Sequence, residues 1–349
     1  MPCKPHKEFQ VHCVDDRGAT CPYYDATDRS ILIIKLGAIG DVIRTTPLLR
    51  KLRTEYPRAR IFWLTHTPEI LPSLVDRPLS FSPSSLTLLR SIAFDLLINL
   101  DKDPEACALA EQLRARKKKG FILRNGLPAP IDAAAQHKYF TGVFDDISKA
   151  NTKSYPEEIF EICGFTFSRE EYLLDVPPPS PRPWRLPKKK KVIGLNTGCG
   201  GRWTSRLWPD ASWIALAKRL KQAGYQVVLL GGEQEDQKNR KLARASGATY
   251  FGHFPLTQFM DLVNRCDLVV TAVTMAMHIT IGLGKKMVLM NNIFNPHEFE
   301  LYGRGVIVEP DRPCRCFYQP TCTNSAYRCM EHLTVDRVLR ACRELLPAK

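Results

Sequence analysis

The sequence predicts an α/β protein built from two doubly wound parallel-sheet domains facing one another. Three observations carry this. The run Ile31–Leu36 is almost wholly apolar and rich in β-branched residues, as a parallel strand buried on both faces requires. It breaks at Gly37 and Gly40 into a helical pattern opening at Asp41. A second buried strand, Val192–Leu195, breaks in the same way into the small-residue loop Asn196–Gly201, ahead of another helix. Between the two halves lies Pro177–Lys191, PPPSPRPWRLPKKKK, whose prolines exclude helix and central strand and leave a stiff extended linker.

Taken in order, residues 1–28 read as an irregular Cys/His-containing extension. The first domain, 29–176, alternates strand Ile31–Leu36, helix Asp41–Glu55, strand Ala59–Thr65 and the short apolar run Leu96–Leu100. A helix near Pro104–Arg116, with a basic run on its tail, a short strand Lys119–Leu123, a loop-rich stretch with a helix near Phe140–Ile147, and helix Tyr155–Cys163 closed by Gly164 follow. The second domain, 192–333, holds helix Ala211–Ala223 closed by Gly224, strand Gln226–Leu230 and helix Asp236–Ala245. Helix Phe259–Arg265 and strands Asp267–Thr271 and Met287–Met290 complete it. Residues 334–349 form a last amphipathic helix. In open sheets of this kind ligands collect beyond the carboxyl ends of the strands, so the cleft lined by those loops is the expected site.

At 349 residues and 44% hydrophobic composition, two cores are expected. No apolar run reaches about 18 residues and no apolar leader is present near the N-terminus, so the reading is a cytoplasmic chain. The net charge of +14, with basic runs Arg114–Lys119 and Lys188–Lys191, suits an anionic lipid surface or a phosphorylated sugar. No nucleic-acid motif with interleaved aromatics accompanies the charge, so nucleic acid is not an expected partner. Of the twelve cysteines, Cys3, Cys13 and Cys21 lie in the extension beside His6 and His12. Cys314, Cys316, Cys322 and Cys329 cluster near the other end, and could hold Zn or Fe as thiolates, although C-x-C-x5-C-x6-C is not a common zinc pattern.

The glycine turn lets a substrate approach the backbone closely. Asp41 at its mouth is either a carboxylate for chemistry or a helix cap. GxxGD is not GxGxxG, which argues against NAD. The loop Thr197–Arg206 presents backbone N–H groups ahead of a helix, with Arg202 and Arg206 able to fork onto phosphate oxygens. Glu233 and Glu235, after the next strand, can accept ribose hydroxyls or complement a helix dipole. His278 lies just past the strand ending at Thr271, as a site residue or a packed one. Together these residues describe a nucleotide-diphosphate site in the second domain. Asp41 would serve as a general base for a hydroxyl attacking an anomeric carbon, and the arginines would stabilise the departing diphosphate. No DxD stands where a metal-dependent transferase would need one.

The motifs IKLGAIGDVIRTTPLL, NTGCGGRWTSRLWP, LLGGEQED, CDLVVTAVTMAMH, HEFELYGRG and CRCFYQPTCTNSAYRCM, spanning residues 31–330, resemble those of glycosyltransferase family 9, the lipopolysaccharide heptosyltransferases. The resemblance implies a GT-B fold of two Rossmann-like domains and inverting transfer of heptose from an ADP-sugar to a phosphorylated glycolipid acceptor at the inner face of the membrane, with no cofactor required. It implies Asp41 as base, Arg206 as the diphosphate-gripping cation, and Thr197 and Gly198 as the phosphate loop. Gly37 and Gly40 form the turn, Glu235 or Glu233 is the ribose acid, and Thr274 and His278 hold the sugar. One departure stands out: Val273 occupies the position of a family Asp, and valine cannot accept sugar hydroxyls. Two alternatives follow from this and from the cysteines. One is transfer to protein, as by autotransporter heptosyltransferases with a cysteine-bound iron. The other is a nucleotide-sugar-binding scaffold that has lost catalysis.

Overall fold

The computed structural model describes residues 26–181 and 183–347. The extension cysteines Cys3, Cys13 and Cys21, with His6 and His12, lie outside the described residues. Two compact units emerge, one holding the chain up to Phe144 with Tyr155–Leu173, the other Asp145–Ser154 with the chain from Leu174 onward.

In the first unit, β1 (Arg29–Ile34), α1 (Ile39–Ile43), α2 (Pro47–Glu55), β2 (Ala59–Thr65), β3 (Arg77–Ser80) and α3 (Pro83–Ser91) lead to β4 (Phe94–Asn99). They are followed by α4 (Pro104–Gln112), β5 (Ala115–Arg124), β6 (Leu127–Pro130) and α5 (Gln136–Val143). Helix α6 (Asp145–Ala150) belongs to the second unit, and α7 (Tyr155–Cys163) returns to the first. The sheet order is β3-β2-β1-β4-β5-β6, parallel except for the β5–β6 hairpin. Ile31, Leu32, Ile33 and Ile34 are each at most 1% exposed, which is why this strand reads as one unbroken apolar run.

The structure differs from the sequence reading in several places: the helix expected near Phe140–Ile147 is two, α5 and α6, broken at Phe144, and β3 and α3 lie where no element is expected. The single expected helix Asp41–Glu55 is two, because Pro47 starts a new helix and the Thr45 and Thr46 hydroxyls donate back to the carbonyls of Asp41 and Ile43 at 2.7 Å. The basic run is not a helix tail: Ala115–Lys119 is strand, with Ala115, Lys117, Lys118 and Lys119 paired to β4. Here tertiary pairing overrides the helical propensity of lysine.

The second unit runs β7 (Val192–Asn196), α8 (Asp210–Gln222), β8 (Gln226–Leu230), α9 (Asp236–Ser246) and α10 (Leu256–Asn264). It continues through β9 (Leu268–Ala272), α11 (Met275–Gly282), β10 (Lys286–Met290), β11 (Gly305–Val308) and α12 (Val335–Leu345). The all-parallel order is β11-β10-β9-β7-β8. One face of this sheet packs on α8 and α12 through Ile193, Leu195, Val270, Leu216 and Leu339, with Trp208 and Trp213 edge to face at 5.0 Å. No helix of the described residues is long and apolar enough to cross a membrane.

Candidate active site

Strand order reverses between β1 and β4 in the first unit and between β7 and β9 in the second. The residues just past those strands are therefore where each unit presents groups to a ligand.

In the first unit the chain leaves β1 through Lys35 and Leu36 and turns at Gly37 and Ala38; Gly40, expected in the turn, is instead buried inside α1, because the helix begins at Ile39 and not at Asp41. Helix α1 has Ala38 as its N-cap, so Asp41 is not the cap but a first-turn acid. Its side chain is a third exposed and pairs with Arg44 at 2.8 Å. Arg44 in turn lies 3.5 Å over the Tyr155 ring, which fixes the guanidinium and through it the carboxylate.

Beneath the turn lies a feature that strand-end periodicity does not reveal. Lys35 and Asp101, each 5% exposed, form a buried ion pair. Lys35 Nζ also donates to the Gly37 carbonyl at 2.6 Å, and the Leu36 N–H donates to Asp101. Burial alone would disfavour the Lys35 ammonium, but Tyr155, Asp41 and Asp101 outweigh it and hold it charged above the ordinary lysine range. The pair thus staples the glycine turn to the end of β4. Lys35→Met, which leaves the Asp101 carboxylate buried without its cation, is expected to cost about 3–5 kcal/mol in urea unfolding; a loss under about 1 kcal/mol would contradict the assigned role.

In the second unit, Arg206 ends the single 3-10 turn Thr204–Arg206 and is only 6% exposed. Its Cζ lies 5.6 Å from the Trp203 ring centre and 5.3 Å from that of Phe294, and Nη2 donates to the Cys199 carbonyl at 3.2 Å. Nε is buried with no hydrogen-bond partner among the described residues. Burial pulls the guanidinium down to about 10, still protonated at neutral pH. The turn is fixed from outside: the Ser205 N–H and hydroxyl donate to Pro320 and Gln319 carbonyls at 3.0 and 2.8 Å, and Asn292 donates to the Ser205 carbonyl at 2.9 Å. Arg202, by contrast, is exposed and stands over the outer Trp203 ring at 5.4 Å.

Thr197 is buried; its hydroxyl donates to Asn239 at 2.5 Å and its carbonyl accepts from Lys238 at 3.1 Å. Glu235 closes the turn Glu233–Glu235, accepting the Gly232 N–H at 3.0 Å, and its carboxylate lies against Gly198. A Cβ on Gly198 would overlap that carboxylate, so the absence of a side chain there is what lets the Glu235 carboxylate lie against the loop after β7. Glu233 is exposed. Thr274 is the N-cap of α11, accepting the Ala276 N–H at 3.2 Å, and also accepts from Asn196 at 3.3 Å. His278 lies one turn further on, 6% exposed, and Val273 is buried beside the cap. The structure therefore gathers Thr197, Gly198 and Glu235, and sets Arg206 and Thr274 at the neighbouring strand ends, while Arg202 and Glu233 face solvent. Asn196 at the end of β7, Asn239 within α9 and Phe294 in the loop after β10 join these residues without a sequence signal of their own.

Cys316 Sγ lies 3.9 Å from Cys322 Sγ, the Cys316 N–H donates to Cys314 at 3.3 Å and Asn292 donates to Cys329 at 3.3 Å. All four are free thiols. No group of three or more His, Cys, Asp or Glu side chains among the described residues is placed to hold a metal. The segment of the four cysteines supplies the carbonyls that hold the Arg206 turn.

These two doubly wound units, the second carrying a buried guanidinium beside a glycine loop, have the architecture of the GT-B fold. Residues 86–316 match the family described as glycosyltransferase family 9 (heptosyltransferase), and the chain belongs to that family. Lipopolysaccharide heptosyltransferase 2 of Escherichia coli K12 is 21% identical over 299 residues, which are 76% of this chain and 83% of that protein. A family 9 glycosyltransferase structure from Veillonella parvula superposes with a TM-score of 0.70 at 19% identity, over 92% of this chain and 98% of that one. TibC from enterotoxigenic E. coli, described as an iron-containing dodecameric glycosyltransferase, is similar in fold with a TM-score of 0.57 at 14% identity, over 95% of this chain and 81% of that one.

Proposed function

We propose that this glycosyltransferase moves heptose from ADP-heptose to a lipopolysaccharide core-type acceptor, with inversion, and that the catalytic step needs no metal ion. The single observation that carries the donor half is Arg206. A guanidinium 6% exposed, with a buried Nε left unpartnered among the described residues, is a charge in want of an anion. A diphosphate supplies it, with Arg202 and the Thr197–Gly198 backbone as further donors. Glu235, with Glu233 as its exposed neighbour, accepts the ribose hydroxyls, and Thr274 and His278 flank the sugar.

Asp41 supplies the other half. Its carboxylate takes the proton of the acceptor hydroxyl as that oxygen attacks the anomeric carbon. The bond from that carbon to the diphosphate oxygen breaks, and ADP leaves with the electron pair, its charge met by Arg206. Gly37 leaves the turn before Asp41 without a side chain, while Gly40 is buried within α1. We place the reaction on the cytoplasmic face of the inner membrane, where a chain of net charge +14 is drawn to anionic lipid.

The test is calorimetry with ADP and ADP-heptose, alongside turnover with glycolipid and with peptide acceptors in the presence of a chelator. The expected result is ADP-dependent binding and transfer to the glycolipid at a rate the chelator does not change. Transfer to peptide only, with iron found by metal analysis, would favour the protein-acceptor alternative. Tight donor binding without product would favour a scaffold, to which Val273 points.

A further inference from the structure

The buried carboxylates of the first unit each have a lysine of their own. Asp101 takes Lys35. Glu158 on α7, 1% exposed, takes Lys138 of α5 at 2.5 Å and accepts the Thr141 hydroxyl at 2.7 Å. Lys102, on the loop after β4, is the cation left over. It makes no ion pair among the described residues; its ammonium donates to the Lys138 carbonyl at 3.3 Å and stands 5.5 Å from the Phe121 ring centre. The fold makes room for it: a Cβ on Gly142, in α5, would overlap Lys102 Nζ and lie 2.8 Å from Cε. β1 and β4 are paired neighbours, Ile34 beside Asn99, so Lys102 and Asp41 leave the same sheet edge from adjacent strands, and Lys35 ties their two loops together.

We propose that Lys102 binds an anionic group, carboxylate or phosphate, on the sugar acceptor and thereby holds the acceptor hydroxyl for Asp41. The inference rests on Asp41 as base and names the acceptor feature that selects the substrate. A half-buried ammonium flanked by Lys138 and Lys35 is costly to keep until an anion arrives, so neutral acceptors gain nothing from it. Burial first, then the charges of Lys138 and Lys35, pull Lys102 down to about 8, while Glu158 and Asp101 oppose them. The sign follows: the ammonium is present below that value and lost above it, so anion binding weakens as pH climbs through about 8.

The probes are an anionic core oligosaccharide released from lipopolysaccharide by deacylation, the same oligosaccharide after phosphatase treatment, and after carboxyl reduction. With the intact probe, Lys102→Met is expected to raise the acceptor KM roughly 10–100-fold with the ADP-heptose affinity unchanged. The variant should also lose the rise of KM with pH. Whichever treated probe binds wild type and variant alike identifies the group bound. Gly142→Ala, which keeps the charge but displaces it within a better helix former, should raise KM in the same direction without loss of stability. Calorimetric binding of these probes reads Lys102 without turnover, so its failure is separable from a failure of Asp41 as base. An unchanged acceptor affinity in both variants, or an equal loss toward intact and fully neutralised probes, would overturn the assignment.

Discussion

Asp41→Asn is expected to reduce transfer about 10²–10⁴-fold while leaving ADP-heptose binding as it is in the wild type. An acceptor hydroxyl is a poor nucleophile until its proton has somewhere to go, and an amide of the same size cannot take it. The rest of the turn survives the change. The Asp41 carbonyl still receives the Thr45 hydroxyl, its N–H still reaches the Ala38 carbonyl at 2.8 Å, and Lys35 still holds Gly37. The ion pair to Arg44 goes, a pair in which the acid is a third exposed and of the class that contributes little to stability, and Lys35 loses the Asp41 charge but keeps Asp101. A loss of activity in this variant is thus a loss of chemistry. Rates measured under single turnover with saturating donor check it, and wild-type turnover would remove Asp41 from the mechanism.

Arg206→Met is expected to lower kcat/KM by about 10²–10³-fold and to weaken ADP binding with it. The guanidinium sits between Trp203 and Phe294 with one backbone bond, to Cys199, so the free protein loses little when it goes. A methionine fits the apolar walls it leaves, and the urea midpoint should hold or rise. Arg206→Lys should recover only a small part of the activity, because a flexible point charge replaces a planar fork already oriented by two rings. A variant that binds and turns over the donor normally would mean the diphosphate lies elsewhere.

Much of the fold was legible because its strands are buried on both faces. β2, β8 and α7 fall where periodicity and closing glycine place them, and the two glycine turns mark the strand ends that carry Asp41 and Thr197. What could not be read has physical causes. Helix α11 is buried on all sides, His278 and Thr280 as well as Met277, Ile279 and Ile281, so it has no solvent-facing polar stripe to set a period. The strand character of Lys117 and Lys118, ahead of the strand expected at Lys119–Leu123, comes from pairing with β4, not from their own side chains. β3 and β11 are four-residue strands with little apolar signal or only a brief one. The candidate site residues could be named by type from the sequence, but their environment could not. That Arg206 is buried while Arg202 is not, or that Lys102 lacks a carboxylate because Glu158 is occupied by Lys138, depends on residues brought together only by folding.

The most direct test of sugar transfer by one base and a guanidinium-held diphosphate is the anomeric configuration of the product. Purified protein, ADP-heptose and a deacylated core acceptor should yield a glycoside whose anomeric centre, read by NMR, is inverted relative to the donor, as a single displacement demands. A product of retained configuration would contradict the account, because it needs a second displacement that Asp41 acting as a base does not supply.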